Sequence, residues 1–337
     1  MNRRMFAFVL ALAVVSTGIA TGQGTYQAPK TPWGDPDLQG FWPSVDMVGV
    51  PLQRPTRFGT RNTLTEEEFQ QRARAIEQEE ESLLAEIDVF TADVTTPCAI
   101  RCPTSPTPHW QETGKPSHQA SLIIDPPDGR QPPLSEEGQK RQAQQQAEAR
   151  VRRDRLQGRE ADTYLDRSLY DRCITRGVIG SILPVIYNNG NEIVQGPGFV
   201  AIRNEMIHET RVVPLDGRPH PSPEIKTWMG ISRGRWDGDT LVVETRNFDP
   251  RTSGIAVNGG GARISDALVV TERFTRVGGD QIDYEMHVSD PKTWTRAWTM
   301  RYPLKLDNDY GFYEYACHEG NYSMFNILSG SRAAEKK

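Results

Sequence analysis

The sequence predicts a mainly β protein: an antiparallel, up-and-down barrel preceded by an N-terminal wrap of loops and helices. Three observations point there. Ser232 to Arg276 reads as a strand, an Asp237-Gly238 turn, a second strand and, one connection later, a third. Asp-Gly suits the positive φ angles of a two-residue hairpin turn, and its flanks are β-branched and aromatic. The same rhythm fills the chain beyond Cys173, and 24 prolines with 29 glycines supply the turns between the short strands.

The strand candidates are 184–187, 192–195, 198–204, 207–214, 224–235, 240–248, 267–277, 281–289, 295–304 and 310–317. Glycine, asparagine, aspartate and proline separate them, as in Asn188-Asn189-Gly190-Asn191 and Gly278-Gly279-Asp280. Connections this short favour antiparallel neighbours, and closure removes exposed edges. On 281–289, Asp283, Glu285 and His287 alternate with Tyr284 and Met286, so that polar row reads as the solvent face. Upstream, 63–88 predicts a helix capped by Thr63 or Thr65, with Glu66, Glu67 and Glu68 in its first turn. Phe69, Ala73, Ile76 and Leu83 or Leu84 form its apolar stripe. A second helix, 134–166, is almost purely polar from Gln139 to Arg155 and belongs on the surface. The proline-dense stretch between them holds one strand candidate, 120–125, and Tyr322 to Leu328 predicts a short C-terminal helix.

Four regions follow: a signal peptide over 1–22, the wrap over 23–172, the barrel over 173–330 and a tail over 331–337. Arg3 and Arg4, the apolar run Met5 to Val15 and the small residues Ser16, Gly18 and Ala20 have the order of a secretory signal. That run is too short for a permanent membrane anchor, so the expected location is periplasmic or secreted. Arg3-Arg4-Met5-Phe6 leaves both the general and the twin-arginine export routes open. The four cysteines fit an oxidising compartment, with Cys98–Cys102 and Cys173–Cys317 the favoured pairing of three. A net charge of −5 without a basic stripe argues against a nucleic-acid partner.

Pro36-Asp37-Leu38-Gln39-Gly40-Phe41-Trp42, Asp125-Pro126-Pro127-Asp128-Gly129-Arg130, Pro214-Leu215-Asp216-Gly217-Arg218-Pro219-His220, Gly234-Arg235-Trp236-Asp237-Gly238-Asp239-Thr240-Leu241-Val242-Val243 and Tyr315-Ala316-Cys317-His318-Glu319-Gly320-Asn321 are motif phrases. Through them the chain resembles an uncharacterised family of exported bacterial proteins, which implies export but no particular activity. More distantly it is similar to lipocalin-like (calycin) barrels, in which Gly-x-Trp marks the first strand. Gly40-Phe41-Trp42 or Gly234-Arg235-Trp236 would fill that part, although the long stretch after Trp42 departs from the pattern.

A barrel of this size holds packed side chains or one small ligand. The expected ligand is a small, partly hydrophobic organic molecule, turned over by cofactor-independent acid–base chemistry of lyase, isomerase, hydratase or hydrolase type. The catalytic candidates are His208 and His318 for proton transfer, with Glu205 and Glu209 as base or orienter. On a strand, Glu205 and Glu209 would share a face opposite His208; on a helical turn all three would crowd together. Arg211 or Arg218 is the expected anion clamp, and His220, Trp228, Trp236 and Trp298 complete the substrate-binding set, with Trp294 a further pocket-lining candidate. A non-catalytic binding barrel and a metal enzyme built on His208, His220 and His318 are the alternatives; Glu314, His318 and Glu319 form a further polar cluster. A scaffold using the polar helix as its partner surface is a third class.

Some tempting motifs lack their context. Gly230-Ile231-Ser232-Arg233-Gly234 matches a nucleophile elbow, but a hairpin follows where a helix is required. Glu314 stands where a Cys-x-x-Cys-His haem motif needs cysteine. Asn258-Gly259-Gly260-Gly261 has no phosphate-loop lysine behind it and reads as a flexible connection.

Overall fold

The structure, a computed structural model, describes residues 26–92, 110–178, 182–252, 254–255 and 261–335. The signal sequence, the Cys98–Cys102 pairing and most of the Asn258–Gly261 connection lie outside the described residues. Among those described are ten strands and three α-helices. The strands are β1 (Gly40–Phe41), β2 (Ile123–Asp125), β3 (Asn191–Gly196), β4 (Phe199–Asn204), β5 (Thr210–Pro214), β6 (Ile231–Asp237), β7 (Thr240–Arg246), β8 (Val269–Gly278), β9 (Gln281–Ser289) and β10 (Trp298–Lys305). The helices are α1 (Glu66–Ala92), α2 (Glu136–Leu156) and α3 (Tyr322–Ala334).

Every ladder is antiparallel, and β3 to β10 run as a meander divided into two sheets, in the orders β1-β3-β4-β5 and β2-β10-β9-β8-β7-β6. Among the described residues no closed barrel is found, since no hydrogen-bonded ladder joins β5 to β6. Side chains fill that seam instead. A Cβ on Gly234 would lie 2.6 Å from Leu215 and 2.8 Å from Val213, so β6 can approach β5 only through a glycine. At the opposite seam Gly40 has φ 134°, and a Cβ there would lie 2.6 Å from Leu306, just beyond β10. One backbone bond, Asp307 N–H to Phe41 O at 3.0 Å, crosses between the sheets at that edge. Both Gly-x-Trp glycines therefore mark places where the two sheets meet.

The period-2 pattern decides what fills the space between the sheets. Ile282, Tyr284, Met286 and Val288 of β9 are buried, while Asp283, Glu285 and His287 alternate outward as predicted. Facing strands contribute Val200, Ile202 and Val213 from one sheet and Phe274, Trp298, Met300, Tyr302 and Leu304 from the other, all in one core. Trp42 is fully buried, donates from Nε1 to Leu38 O at 2.8 Å and lies beneath the Arg276 guanidinium. Arg276 in turn donates to Asp37 O at 2.8 Å, so the end of β8 clamps the chain entering β1.

One charged pair sits inside this core. Arg211 of β5 makes a two-pronged bond to Glu272 of β8, and Tyr284 donates to the same carboxylate at 3.0 Å. Glu272 is wholly buried and Arg211 nearly so. Burial alone would pull the Arg211 guanidinium down, but its contacts with Glu272 outweigh that and raise it above the usual arginine value.

The wrap follows its local signals. Thr65 and Glu68 form a reciprocal capping box at the start of α1, and Arg61 grips Glu68 and holds its carboxyl down at about 2. Phe69 packs on Phe58, Leu64 and Ala120. Ser135 caps α2 through the Gly138 N–H at 3.0 Å, and the helix lies on the surface as its composition requires. Of the predicted strands, 184–187 and 310–317 are irregular. Side chains satisfy their backbone there: Asn189 bonds both Val185 N–H and Val185 O, and Glu205 accepts from Tyr313 N–H.

Cys173 and Cys317 are joined, closing a separation of 144 residues, with Cα atoms 5.8 Å apart. Among the described residues no helix is long and apolar enough to cross a membrane. Removing this crosslink by Cys173→Ser with Cys317→Ser should lower stability by roughly 3–5 kcal/mol, because a long loop is released in the unfolded chain. Guanidinium unfolding of the mature protein and the double variant checks this; coincident midpoints would contradict it.

Candidate functional site

The β4–β5 connection, Glu205-Met206-Ile207-His208-Glu209, is neither strand nor a regular helical turn. It is a tight turn closed by His208 N–H to Glu205 O at 2.9 Å and Asn204 N–H to Glu209 O at 2.7 Å. Ile207 (φ 54°) and His208 (φ 46°) both lie in the left-handed region, which a β-branched residue rarely enters. This backbone turns Glu205 and Glu209 inward, to 1% and 6% exposure, and His208 outward into solvent. Cys173 (φ 56°) and Asn188 (φ 55°) share that conformation and belong to the segments around this turn. Strain gathered in one place is a mark of functional sites.

Glu205 accepts four hydrogen bonds, two on each oxygen. Asn188 Nδ2 (2.9 Å) and Tyr313 N–H (3.1 Å) reach Oε1; Gly190 N–H (3.1 Å) and the Tyr310 hydroxyl (2.9 Å) reach Oε2. A Cβ on Gly190 would lie 2.8 Å from that carboxylate and 2.7 Å from the Tyr310 ring, so only glycine fits. The Tyr310 hydroxyl also lies 2.7 Å from Oε1 of Glu112, whose other oxygen accepts from Asn189 N–H and Nδ2. A phenol has one proton and can donate to one of these carboxylates at a time. The Tyr310 hydroxyl therefore bridges Glu112 and Glu205, bonding one at a time. Burial, and then the two carboxylates, push the Tyr310 hydroxyl up, which keeps it a donor at neutral pH.

On the other side of the turn, the Tyr170 hydroxyl meets those of Tyr187 and, at 3.1 Å, Tyr315, and reaches Met206 Sδ at 3.5 Å. Burial raises Tyr170 and Tyr315 above the ordinary phenol value. Glu209 accepts from Thr175 Oγ1 at 2.5 Å and from Arg176 N–H at 3.3 Å. The Cys173–Cys317 bridge ties the Tyr170 and Tyr315 segments together at this point.

His208 and His318 do come together, with ring centroids 6.5 Å apart and planes inclined by 24°, but both are exposed. Among the described residues neither ring is hydrogen-bonded to Glu205. The pair therefore stands in water beside the buried carboxylates, outside the dry site expected of it. Glu314 and Glu319 are exposed nearby in sequence. The expected substrate set is dispersed. Arg211 commits its fork to Glu272 in the core and is closed to a ligand. Arg218 is exposed and turned back onto Asp216 at 2.6 Å. His220 is half-buried, with Nε2 3.3 Å from Glu244 Oε1. Trp228 lies under the Arg251 guanidinium, Trp236 is partly buried against the core, and Trp298 is fully buried edge-on to Trp294. Ser232 is a buried strand residue bonded to Thr245. Among the described residues no group of three or more His, Cys, Asp or Glu side chains is arranged to hold a metal ion.

Glu112, Tyr310, Glu272 and the three-tyrosine cluster were not singled out from sequence. Glu272 was readable by alternation, since Val270, Glu272 and Phe274 share a buried face. Glu112 comes from a proline-rich loop with no local signal. Comparison with family models, with curated proteins and with solved structures gives no match.

Two outcomes follow from this geometry. His208→Gly removes a left-handed non-glycine residue that is exposed, and should stabilise the fold by about 0.5–1 kcal/mol in denaturant unfolding. Burial, partly offset by Glu244, lowers the His220 imidazole below its ordinary value. The unfolded chain then takes up that proton first on acidification. Its stabilising share is present above about pH 6.5 and lost as pH falls toward the folded value. His220→Gln should flatten the stability profile between about pH 7 and 5, read as unfolding midpoints across that range.

Proposed function

We propose that this is an exported protein that performs cofactor-independent acid–base chemistry on a small, partly hydrophobic organic molecule at the Glu112–Tyr310–Glu205 set. The observation that carries the proposal is the single phenol hydroxyl within hydrogen-bond distance of two carboxylates. Such an arrangement lets a proton pass along the hydroxyl without large rearrangement, and groups held within hydrogen-bond reach of one another suit acid–base chemistry. Glu205, fixed by four donors, is the anchor. Glu112 is half-buried and is the carboxyl that a substrate reaches. When Glu112 takes a proton from the substrate, Tyr310 turns its hydrogen to Glu205. Return of that proton to a different atom completes an isomerisation; in an elimination the leaving group departs with the bonding electron pair and takes the proton from Glu112.

The surroundings support a partly hydrophobic substrate. Trp110 and Tyr313 present exposed aromatic surface, and Phe312 lies between Phe41 and the Arg203 guanidinium. In this reading the exposed His208 and His318 exchange protons with bulk water. The Cys173–Cys317 bridge and the charged, apolar, small-residue N-terminus support a periplasmic or secreted location. The meander of eight sequential strands is the feature in favour of the lipocalin-like relationship. In the non-catalytic alternative the same exposed aromatics simply bind the molecule.

The test follows deuterium uptake from D₂O by NMR across a panel of small carbonyl and hydroxy compounds. The mature protein should catalyse exchange into at least one, and Glu112→Gln and Tyr310→Phe should each slow it by about 10²–10⁴-fold. Exchange that both variants leave intact would refute this site. Binding that both variants retain, with no exchange in the parent, would favour the non-catalytic reading.

A further inference from the structure

A second place on the molecule has the features of a ligand site and shares no residue with the acid–base set. Between α2 and the segments that join β7 to β8 lies a cleft of about 270 Å³, lined by Arg141, Gln144, Pro250, Arg251, Arg263 and Ile264. Three of the six lining residues are arginines, brought together from three separate stretches of chain. This volume falls just under the range of about 300–1,000 Å³ for drug-sized ligands, which selects a small molecule over a polymer.

Each guanidinium has an acidic partner and still has donors to offer. Arg141 bonds Glu137, Lys292 O and Thr293 Oγ1 through its two terminal nitrogens, while its Nε is shielded from solvent and has no partner among the described residues. A buried N–H without an acceptor calls for an explanation, and a bound acceptor is one. Arg251 turns Nε and Nη2 to Asp249 and lies 4.7 Å over the Trp228 ring, an arrangement that fixes its plane. Arg263 meets Glu148 at 3.2 Å through one nitrogen. Pro250 and the buried Ile264 give the cleft an apolar wall.

We propose that this cleft binds a small organic carboxylate. Arginine forks match the carboxylate geometry, and the apolar wall accepts the hydrocarbon part. The charge balance favours a monoanion. Glu137, Asp249 and Glu148 already offset the three guanidiniums, so the site offers directed donors without a large surplus of positive charge. A phosphate dianion would find little net attraction there.

Isothermal titration calorimetry on the mature protein, with benzoate and inorganic phosphate as probes, tests the assignment. Benzoate should bind at one saturable site and in preference to phosphate. Arg251→Gln with Arg263→Gln should weaken it by about tenfold or more, the worth of one or two charge-assisted hydrogen bonds. Arg141→Lys, which keeps the charge and loses the Nε donor, should weaken it as well. Arg150→Gln, at an exposed α2 position beside Asp154, should leave binding unchanged. Melting temperatures of the variants separate lost binding from lost folding, and Arg141→Lys carries the test if the double variant does not fold. Absence of saturable benzoate binding, a preference for phosphate, or an equal loss in Arg150→Gln would overturn the proposal.

Discussion

The Arg211–Glu272 pair is the constraint on which the rest of the structure depends. It joins β5 of one sheet to β8 of the other through the core, at the side where no backbone ladder connects them. Two desolvated charges are expensive to bury, and they are tolerated only with close geometry and further hydrogen bonds. The two-pronged contact and the Tyr284 hydroxyl meet that requirement. Loss of one partner would leave a bare charge in an apolar interior, at a cost of about 3–5 kcal/mol. The pair also fixes register, because a one-residue slip of β5 would turn Arg211 to solvent and put Thr210 or Val212 in its place. A side-chain lock thus does between β5 and β6–β8 what hydrogen bonds do elsewhere in the meander.

Register at β5 sets the turn before it. With Arg211 inward, Glu209 also faces inward, where it meets Thr175 and the Arg176 backbone. Glu205 is then fixed from the β4 side through Asn188, Gly190, Tyr310 and Tyr313. Both carboxylates are buried at the ends of a five-residue connection, and Ile207 and His208 take up the conformational cost as positive φ. The disulfide holds the segments that supply Tyr170 and Tyr315 against this turn. Strain, buried charge and covalent crosslink fall at one end of the smaller sheet, whereas the remainder of both sheets obeys simple alternation.

That division explains what could be read from the sequence. β9 was legible because its period-2 pattern reports a local property, and α2 because its polarity leaves it no buried face. The Cys173–Cys317 pairing was legible from compartment and separation. Closure into a barrel was not, since a ladder and a seam of packed side chains both bury the same apolar residues; the difference at Gly234 depends on where Val213 and Leu215 lie in space. The turn conformation was hidden for a different reason. Isoleucine at φ 54° contradicts its own preference, and it is buried there in a cluster with Val185 and Met206 against which Tyr170, Tyr187 and Tyr315 pack. His208 and His318 lie 6.5 Å apart, and the exposure of His208 follows from that conformation.

The interior also decides where a ligand can go. Trp298, Tyr284, Tyr302, Phe274 and Met300 fill the space between the sheets with side chains almost wholly excluded from solvent. Phe274, Tyr284 and Tyr302 meet edge to face or tilted at 4.9 and 5.1 Å, the packing of a filled core. The space that a ligand would occupy in an open barrel is thus taken up by stability. The residues of both proposed sites lie at the rim, where loops bring together groups from distant parts of the chain: Glu112, Glu205 and Tyr310 at one place, Arg141, Arg251 and Arg263 at another. In both, a residue from the N-terminal wrap meets residues of the β region. The wrap is therefore part of each site, and the β region alone would lack a carboxylate in the first and a guanidinium in the second.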